Sequence, residues 1–392
     1  MALSKVQDGY LASDVTTNIT GNVTGNVTGN VTGNVNGVTV SSYNTMGKNL
    51  IINGAMDIDQ RNAGASVTVP AYTNTYVMDR WHGYGQPDAS KYSLRQVAAD
   101  GAALAAGFLK CAQVTSAGAH TQTSSDIYFI RQFIEGLNMS HLRWGTSDAK
   151  ACVLSFWVKS HKTGTHGGSI LDQPSAWSHP FTYSISSANT WEYKTVSIAA
   201  PTSGGTFLTT NDKGCQVVFS LSVGSSFVGT AGAWANTPNA FGASGAVNVL
   251  DAASTWSITG VQLEVGSVAT EFERRPYGTE LQLCQRYFQK LGGSSYYPVG
   301  NGFNHPSNNT ISIMWIPFIQ TMRTSPSLDP SFLQVTDRAN YDTDIIAISS
   351  SWIGTHSAQV YITHAAAGNN YGGQFLIIKN GTSGYLNLSA EL

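Results

Sequence analysis

Charge is scarce in this sequence. Lys, Arg, Asp and Glu together make up 11 % of 392 residues, against the ~25 % usual for globular domains. The 21 basic and 23 acidic residues are also dispersed, and positive charge is never denser than Arg274-Arg275. Binding a phosphate backbone needs a concentrated basic face, so nucleic acid is excluded as a partner. Long apolar runs are missing as well: Ile311 to Ile319 falls short of the ~18 residues of a membrane span. The start, Met1-Ala2-Leu3-Ser4-Lys5-Val6-Gln7-Asp8, lacks the apolar stretch of a signal peptide. These absences predict synthesis in a cytosol, no signal-peptide export and no membrane insertion.

Cysteine is sparse too. Cys111, Cys152, Cys215 and Cys284 are widely separated, with no Cys-x-x-Cys and no histidine at metal-ligand spacing, which predicts reduced thiols. Cys215 alternates with Val217, Phe219 and Leu221, as a small side chain on the inner face of a strand does. What the chain has in quantity is glycine, 40 residues, and small polar residues, a composition that favours β-rich, loop-rich architecture.

A four-residue unit repeats from Asn18 to Gly37: Asn-Ile-Thr-Gly, then Asn-Val-Thr-Gly three times, then Asn-Val-Asn-Gly. In an extended chain Ile19, Val23, Val27, Val31 and Val35 share one face with the glycines. One such side chain per four residues cannot offset backbone ordering at ~1–2 kcal/mol per residue. The segment is therefore either disordered or stabilised by identical chains pooling these residues around an axis, and a homotrimeric β-type rod is the expectation. Residues 1–48 thus read as an N-terminal attachment segment followed by a repetitive stalk, with Met1 to Val15 as the candidate for docking onto a larger particle.

Beyond the stalk, short strands separated by Gly, Ser, Asn and Pro clusters are predicted at Lys91–Gln96, Phe108–Thr115, Ile127–Ile134, Cys152–Lys159, Trp191–Ile198, Cys215–Val223 and Trp256–Val265. They point to an antiparallel sandwich or jelly roll over residues 49–276. On the last strand the buried face is read as Val261/Leu263/Val265. A linker helix is expected over 277–292, with Thr279-Glu280-Leu281-Gln282 as a capping box, Leu281, Cys284, Phe288 and Leu291 at helical spacing, and Gly292-Gly293 as the stop. Residues 293–392 then read as a C-terminal β-sandwich tip, with strands at Thr310–Pro317, Gln359–Thr363 and Gly373–Lys379 and a turn at Asn380-Gly381.

The stretches Asn49-Leu50-Ile51-Ile52-Asn53-Gly54, Leu142-Arg143-Trp144-Gly145-Thr146, Leu154-Ser155-Phe156-Trp157-Val158-Lys159-Ser160, Thr190-Trp191-Glu192-Tyr193 and Val261-Gln262-Leu263-Glu264-Val265-Gly266 resemble the carbohydrate-binding-module-like jelly roll of bacteriophage tail fibre and appendage proteins. The run from Glu271-Phe272-Glu273-Arg274-Arg275-Pro276 through Cys284-Gln285-Arg286-Tyr287-Phe288 is similar to the join to that family's C-terminal domain. The resemblance implies a mainly β, trimeric virion appendage that meets virion tail proteins at its N-terminus and a host surface glycan at its distal end. It supplies no site residues.

Catalysis has little to build on. Glycosidic cleavage needs two carboxylates ~5–10 Å apart; Asp57 and Asp59, read as sharing one strand face, fit by spacing alone, and Asp79, Glu264, Glu271 and Glu273 are the other acids considered. There is no Gly-x-Ser-x-Gly elbow and no phosphate-cradling loop. His161 and His166, inside a Thr-Gly loop, make a poor zinc pair. No cofactor is expected, a structural calcium held near Asp57, Asp79 or Glu264 being the alternative.

Sugars present apolar C–H faces between hydroxyls, so aromatic side chains in polar loops are the places to look. Trp157, Trp191 and Trp256 lie inside strands and read as core. Trp177 and Trp234 sit in loops, and at the tip Trp352 follows three serines while Asn369, Asn370 and Tyr371 form a polar turn. The sequence therefore predicts a non-catalytic, glycan-binding fibre, with a glycan-cleaving tail spike and a non-viral lectin as the competing readings.

Overall fold

The computed structural model describes residues 34–35, 38–39, 47–337, 342–365 and 373–392. In the repeat, Asn34–Val35 and Val38–Thr39 pair antiparallel, Val35 opposite Val38. Ile19, Val23, Val27 and Val31 lie outside the described residues. Asn44–Leu392 is a separate unit, mainly β, and the rest of this description concerns it.

Its first part is a jelly-roll-type sandwich of two six-stranded antiparallel sheets. One runs Ser178–Ile185, Gly164–Asp172, Lys213–Val223, Ile127–Glu135, Trp81–Gln86, Thr75–Met78; the other runs Glu192–Ile198, Cys152–Ser160, Thr255–Val265, Lys110–Ser116, Tyr92–Ala98, Val67–Thr68. Inward residues of both sheets interdigitate, with Phe156 of one layer meeting Phe219 of the other edge to face at 5.0 Å. Cys215 is buried in this core, and all four cysteines are free thiols.

The strand Thr255–Val265 shows how sequence and register interact. Trp256 and Ile258 point into the core, and so do Val261 and Leu263, although strict alternation cannot join Ile258 to Val261. A bulge between Thr259 and Gln262 supplies the extra residue. Gly260 takes the left-handed φ of +61° this requires, and a Cβ there would stand 2.5 Å from the Phe108 ring. The anticipated Val261/Leu263/Val265 face is thus corrected at its end, where Val265 is exposed, and extended at its start by Trp256 and Ile258.

The motifs that carry the family resemblance tie the sandwich shut. Asn49 accepts from the Leu263 amide (3.1 Å) and donates to Val261 O (3.1 Å), and Gln132 exchanges two hydrogen bonds with the Ile52 backbone (2.9 and 2.8 Å). Glu273 accepts from the amides of Gly47 and Asn49, and Arg275 donates to the carbonyls of Asn49 and Ile51. Residues at both ends of the domain therefore satisfy each other's buried backbone groups, which accounts for their polarity in an otherwise apolar setting.

The helix spans Tyr277–Gln285 rather than 277–292. No side chain caps it; Glu280 turns instead to the Asn53 amide (2.5 Å) and to Arg275 (3.4 Å). Phe288–Gly292 is a strand paired with Tyr385–Ser389, so Phe288 and Leu291 follow strand rather than helix geometry. Arg286, Tyr287 and the chain end bind this part to the sandwich. Arg286 holds Glu135 through two bonds (2.9 and 2.6 Å), Tyr287 Oη donates to Glu135 (2.5 Å), and buried Arg80 stacks on Tyr287 and pairs with Glu391.

The C-terminal region is not a sandwich. Pro298–His305, Asn308–Pro317, Ser357–His364, Asp342–Ile353, Leu333–Thr336 and Gly373–Ile378 form a closed six-stranded barrel, beside a three-stranded sheet of Phe288–Gly292, Tyr385–Ser389 and Ser327–Ser331. Closure rests on Pro298–His305 pairing on both sides, with Gly373–Ile378 and with Asn308–Pro317. Glycine makes the close packing feasible: a Cβ on Gly302 would lie 1.8 Å from Ile313 O.

Candidate functional site

The outer face of the sheet containing Cys152–Ser160 carries an open cleft of about 770 Å³. Phe156 and Val158 face the core, so alternation turns Trp157 outward. Its cross-strand partner Tyr193 stands on the same face, with the two rings 5.5 Å apart and Tyr193 44 % exposed. Ser155 and Gly260 complete the floor. Phe272 and Phe108 meet edge to face at 5.0 Å to form one wall, and the Arg274 guanidinium lies 4.7 Å over the Phe108 ring while donating to Ala106 O (2.6 Å) and Gly107 O (2.9 Å). Trp157, anticipated as core, is therefore half-exposed and lines the cleft; Trp191 and Trp256 are buried as anticipated.

The acids near this cleft are differently committed. The Glu271 side chain is exposed at its edge. Glu273 is buried and taken up by two backbone amides and Arg275 (3.3 Å). Asp57 and Asp59 do not share a strand; they lie in an irregular segment. Asp59 accepts from the Asn62 and Gly64 amides (2.9 and 2.7 Å). Asp57, raised in pKa first by burial and then by Glu280, lines a recess of about 100 Å³, well below the ~300–1,000 Å³ of small-molecule sites. Asp79 accepts from the Gln60 amide (2.7 Å), and burial pushes its carboxyl up to about 6. In the barrel Ser312 Oγ approaches His364 Nε2 (3.0 Å) and Asn304 Oδ1 (3.1 Å), with both partners of the Ser–His pair buried.

Metal ligation finds no such convergence. Glu264 is occupied by Thr270 N (2.8 Å), Thr270 Oγ1 (2.6 Å) and Gln262 (2.8 Å), Asp79 by Gln60, and His166 Nε2 meets Lys162 O at 2.9 Å. Among the described residues no group of three or more His, Cys, Asp or Glu side chains is placed to hold an ion. The proposed calcium near Asp57, Asp79 or Glu264 thus has carboxylates already engaged in protein hydrogen bonds or apart from one another.

Of the loop aromatics, Trp234 is half-buried among Trp144, His179 and Phe207 at 5.4–5.5 Å, with its indole N–H on Ala199 O (2.6 Å). Trp177 is half-buried against the Gly204 backbone. Trp352 is 71 % exposed on the barrel wall. Asn369, Asn370 and Tyr371 lie outside the described residues. Tyr193, Phe272 and Arg274 were missed as site residues. Period-two alternation around Phe156-Trp157-Val158 was the signal for Trp157, but the wall residues come from a segment with no periodicity.

The chain is similar in part to carbohydrate-binding modules and to a phage tailspike domain. No sequence family and no curated protein matches it. The enzymatically active domain of tailspike protein 4 from bacteriophage CBA120 is 14 % identical with a TM-score of 0.30, the match covering 56 % of this chain and 22 % of that one. The family 11 carbohydrate-binding module from Clostridium thermocellum, in complex with a β-1,3-1,4-mixed-linked tetrasaccharide, is 11 % identical with a TM-score of 0.26, over 53 % of this chain and 99 % of the module. The CBM22-1 xylan-binding domain from Paenibacillus barcinonensis is 8 % identical with a TM-score of 0.23, over 53 % and 99 %. This chain thus spans about a fifth of the tailspike chain's length.

Proposed function

We propose that this protein is a bacteriophage tail-fibre adhesin, a homotrimer that attaches the virion to its host by binding surface glycan without cleaving it. The observation that carries the glycan reading is the cleft floored by Trp157 and rimmed by Tyr193. It offers flat apolar surface for sugar C–H faces in a volume that suits a few sugar rings. Its polar groups are Ser155, the Thr270 to Arg274 backbone, the Arg274 guanidinium on the Phe108 wall, Arg275 and one exposed carboxylate, Glu271.

Non-catalytic binding is supported by the state of the acids. Of the two cleft glutamates, Glu273 is buried in hydrogen bonds and an ion pair, which leaves Glu271 without a second free carboxylate for acid–base work. The virion and trimer parts of the reading rest on the Asn-Val-Thr-Gly repeat and on the resemblance of the sandwich motifs. Trp352, with most of its ring in solvent, belongs to the same reading as a distal contact. Titration of the purified protein with host surface polysaccharide, with reducing ends assayed in the same samples, tests binding and cleavage together.

A further inference from the structure

The outer wall of the barrel carries a row of side chains that register alone places side by side. Cross-strand partners in an antiparallel sheet share a face, and the pairs Phe375–Asn301, Asn301–Trp315, Trp315–Gln359 and Gln359–Trp352 run across five neighbouring strands. The order is aromatic, amide, aromatic, amide, aromatic. The irregularity between Ser350 and Trp352 shifts the alternation so that Trp352 joins the row on the outside. Phe303, two residues along from Asn301, packs beside Trp315 at 5.5 Å. Trp315 is 42 % exposed, Phe303 and Phe375 are also exposed, and the Asn301 and Gln359 amide groups are not engaged by any described residue.

We propose that Trp315, flanked by Asn301 and Gln359 and extended by Phe303 and Trp352, is a second glycan platform, separate from the sandwich cleft and selective for uncharged sugar. The proposal rests on the glycan-binding reading and deepens it. Each amide sits one strand spacing, ~4.8 Å, from the Trp315 position, within reach of the hydroxyls that ring the edge of a stacked pyranose. No Lys, Arg, Asp or Glu lies within two residues of any member of the row along its strand, so the row's own strands set no carboxylate, ammonium or guanidinium beside it to pair with a uronate or phosphate; His305, beside Tyr361, is the nearest histidine on these strands. A second copy of the chain fits less well. The four aromatic side chains leave about 400 Å² open at ~200 Å² each, half of the ~800 Å² per partner of a standard interface, and the free amides between them would be buried unpaired. A barrel wall is convex, so the platform holds a short segment of one to three rings, and its useful strength comes from several copies acting together.

The test uses the full-length protein titrated with uncharged hexasaccharides of glucose, galactose, mannose and xylose, and with oligogalacturonate as the charged probe. Trp315→Ala and the double variant Asn301→Ala/Gln359→Ala, whose side chains are at the surface, are compared with Tyr193→Ala in the cleft. The expected result is a loss of about tenfold in affinity for an uncharged probe in both barrel variants, unaltered by salt, with further loss on adding Tyr193→Ala. Wild-type affinity in both folded barrel variants overturns the platform, while a defect confined to Tyr193→Ala leaves the cleft reading standing. Binding by the wild type to oligogalacturonate alone overturns the selectivity for uncharged sugar, and no binding to any probe overturns platform and glycan reading together.

Discussion

Arg286 and Glu135 are joined by two hydrogen bonds, 2.9 and 2.6 Å, where the segment between the helix and the three-stranded sheet meets the sandwich. The Glu135 side chain has no solvent exposure and also accepts from Tyr287 Oη. Removing it strands a guanidinium and a phenol in a partly buried joint. Glu135→Ala is expected to cost about 3 kcal/mol, read as a lower urea midpoint. A loss under about 1 kcal/mol would show that the apolar cluster of Ile52, Phe133, Cys284 and Leu392 holds the joint by itself.

Asp79 predicts a pH dependence. Burial lifts its carboxyl from 3.8 to about 6, so the folded chain holds that proton more tightly than the unfolded chain. The associated stabilisation is complete below about pH 4 and lost as pH rises through about 6. Two pK units correspond to about 3 kcal/mol. Unfolding free energies from pH 4 to 7 should fall in the wild type by up to this amount relative to Asp79→Asn; parallel curves would refute the assignment.

Gly260 links the fold to the cleft. Alanine there must take a φ of +61° and push against Phe108. Gly260→Ala should cost about 1–3 kcal/mol and weaken ligand binding by displacing the Phe108 wall. Unchanged melting and unchanged binding would mean that the bulge is not needed for either.

The Asn-Val-Thr-Gly repeat predicts an assembly. Light scattering of the full chain should give three times 41.7 kDa, and deletion of residues 18–37 should give the single-chain mass. A full chain that runs as a monomer would leave the trimer without support.

Much of the sandwich could be read from its residues because local alternation and packing agree. Ile127–Glu135 and Lys213–Val223 are continuous runs with a side chain for each layer. Gly164–Asp172 is not legible in the sequence, since its glycines and histidine look like loop; the structure gives Gly168 its reason, because any Cβ there would strike the Phe181 ring. Pro298–His305 was hidden in the same way, and with it the barrel, because closure depends on a pairing between residues some 70 positions apart. Phe288 and Leu291 sit at spacing compatible with a helix, and only their pairing with Ser389 and Leu386 decides for strand. As for the site, loop tryptophans attracted attention by composition, yet Trp234 spends its indole N–H on Ala199. Position within a strand suggests core for Trp157, whereas its inward-facing neighbours Phe156 and Val158 fix it on the outer face.

Tyr193 gives the most direct test of glycan binding in the cleft, since its exposed ring can be removed without opening the core. Calorimetric titration of wild type and Tyr193→Ala with purified host surface polysaccharide should show saturable binding without release of reducing ends, and about tenfold weaker binding in a variant that melts at the wild-type temperature. Equal affinity in the two proteins, or steady release of reducing sugar by the wild type, would contradict the account.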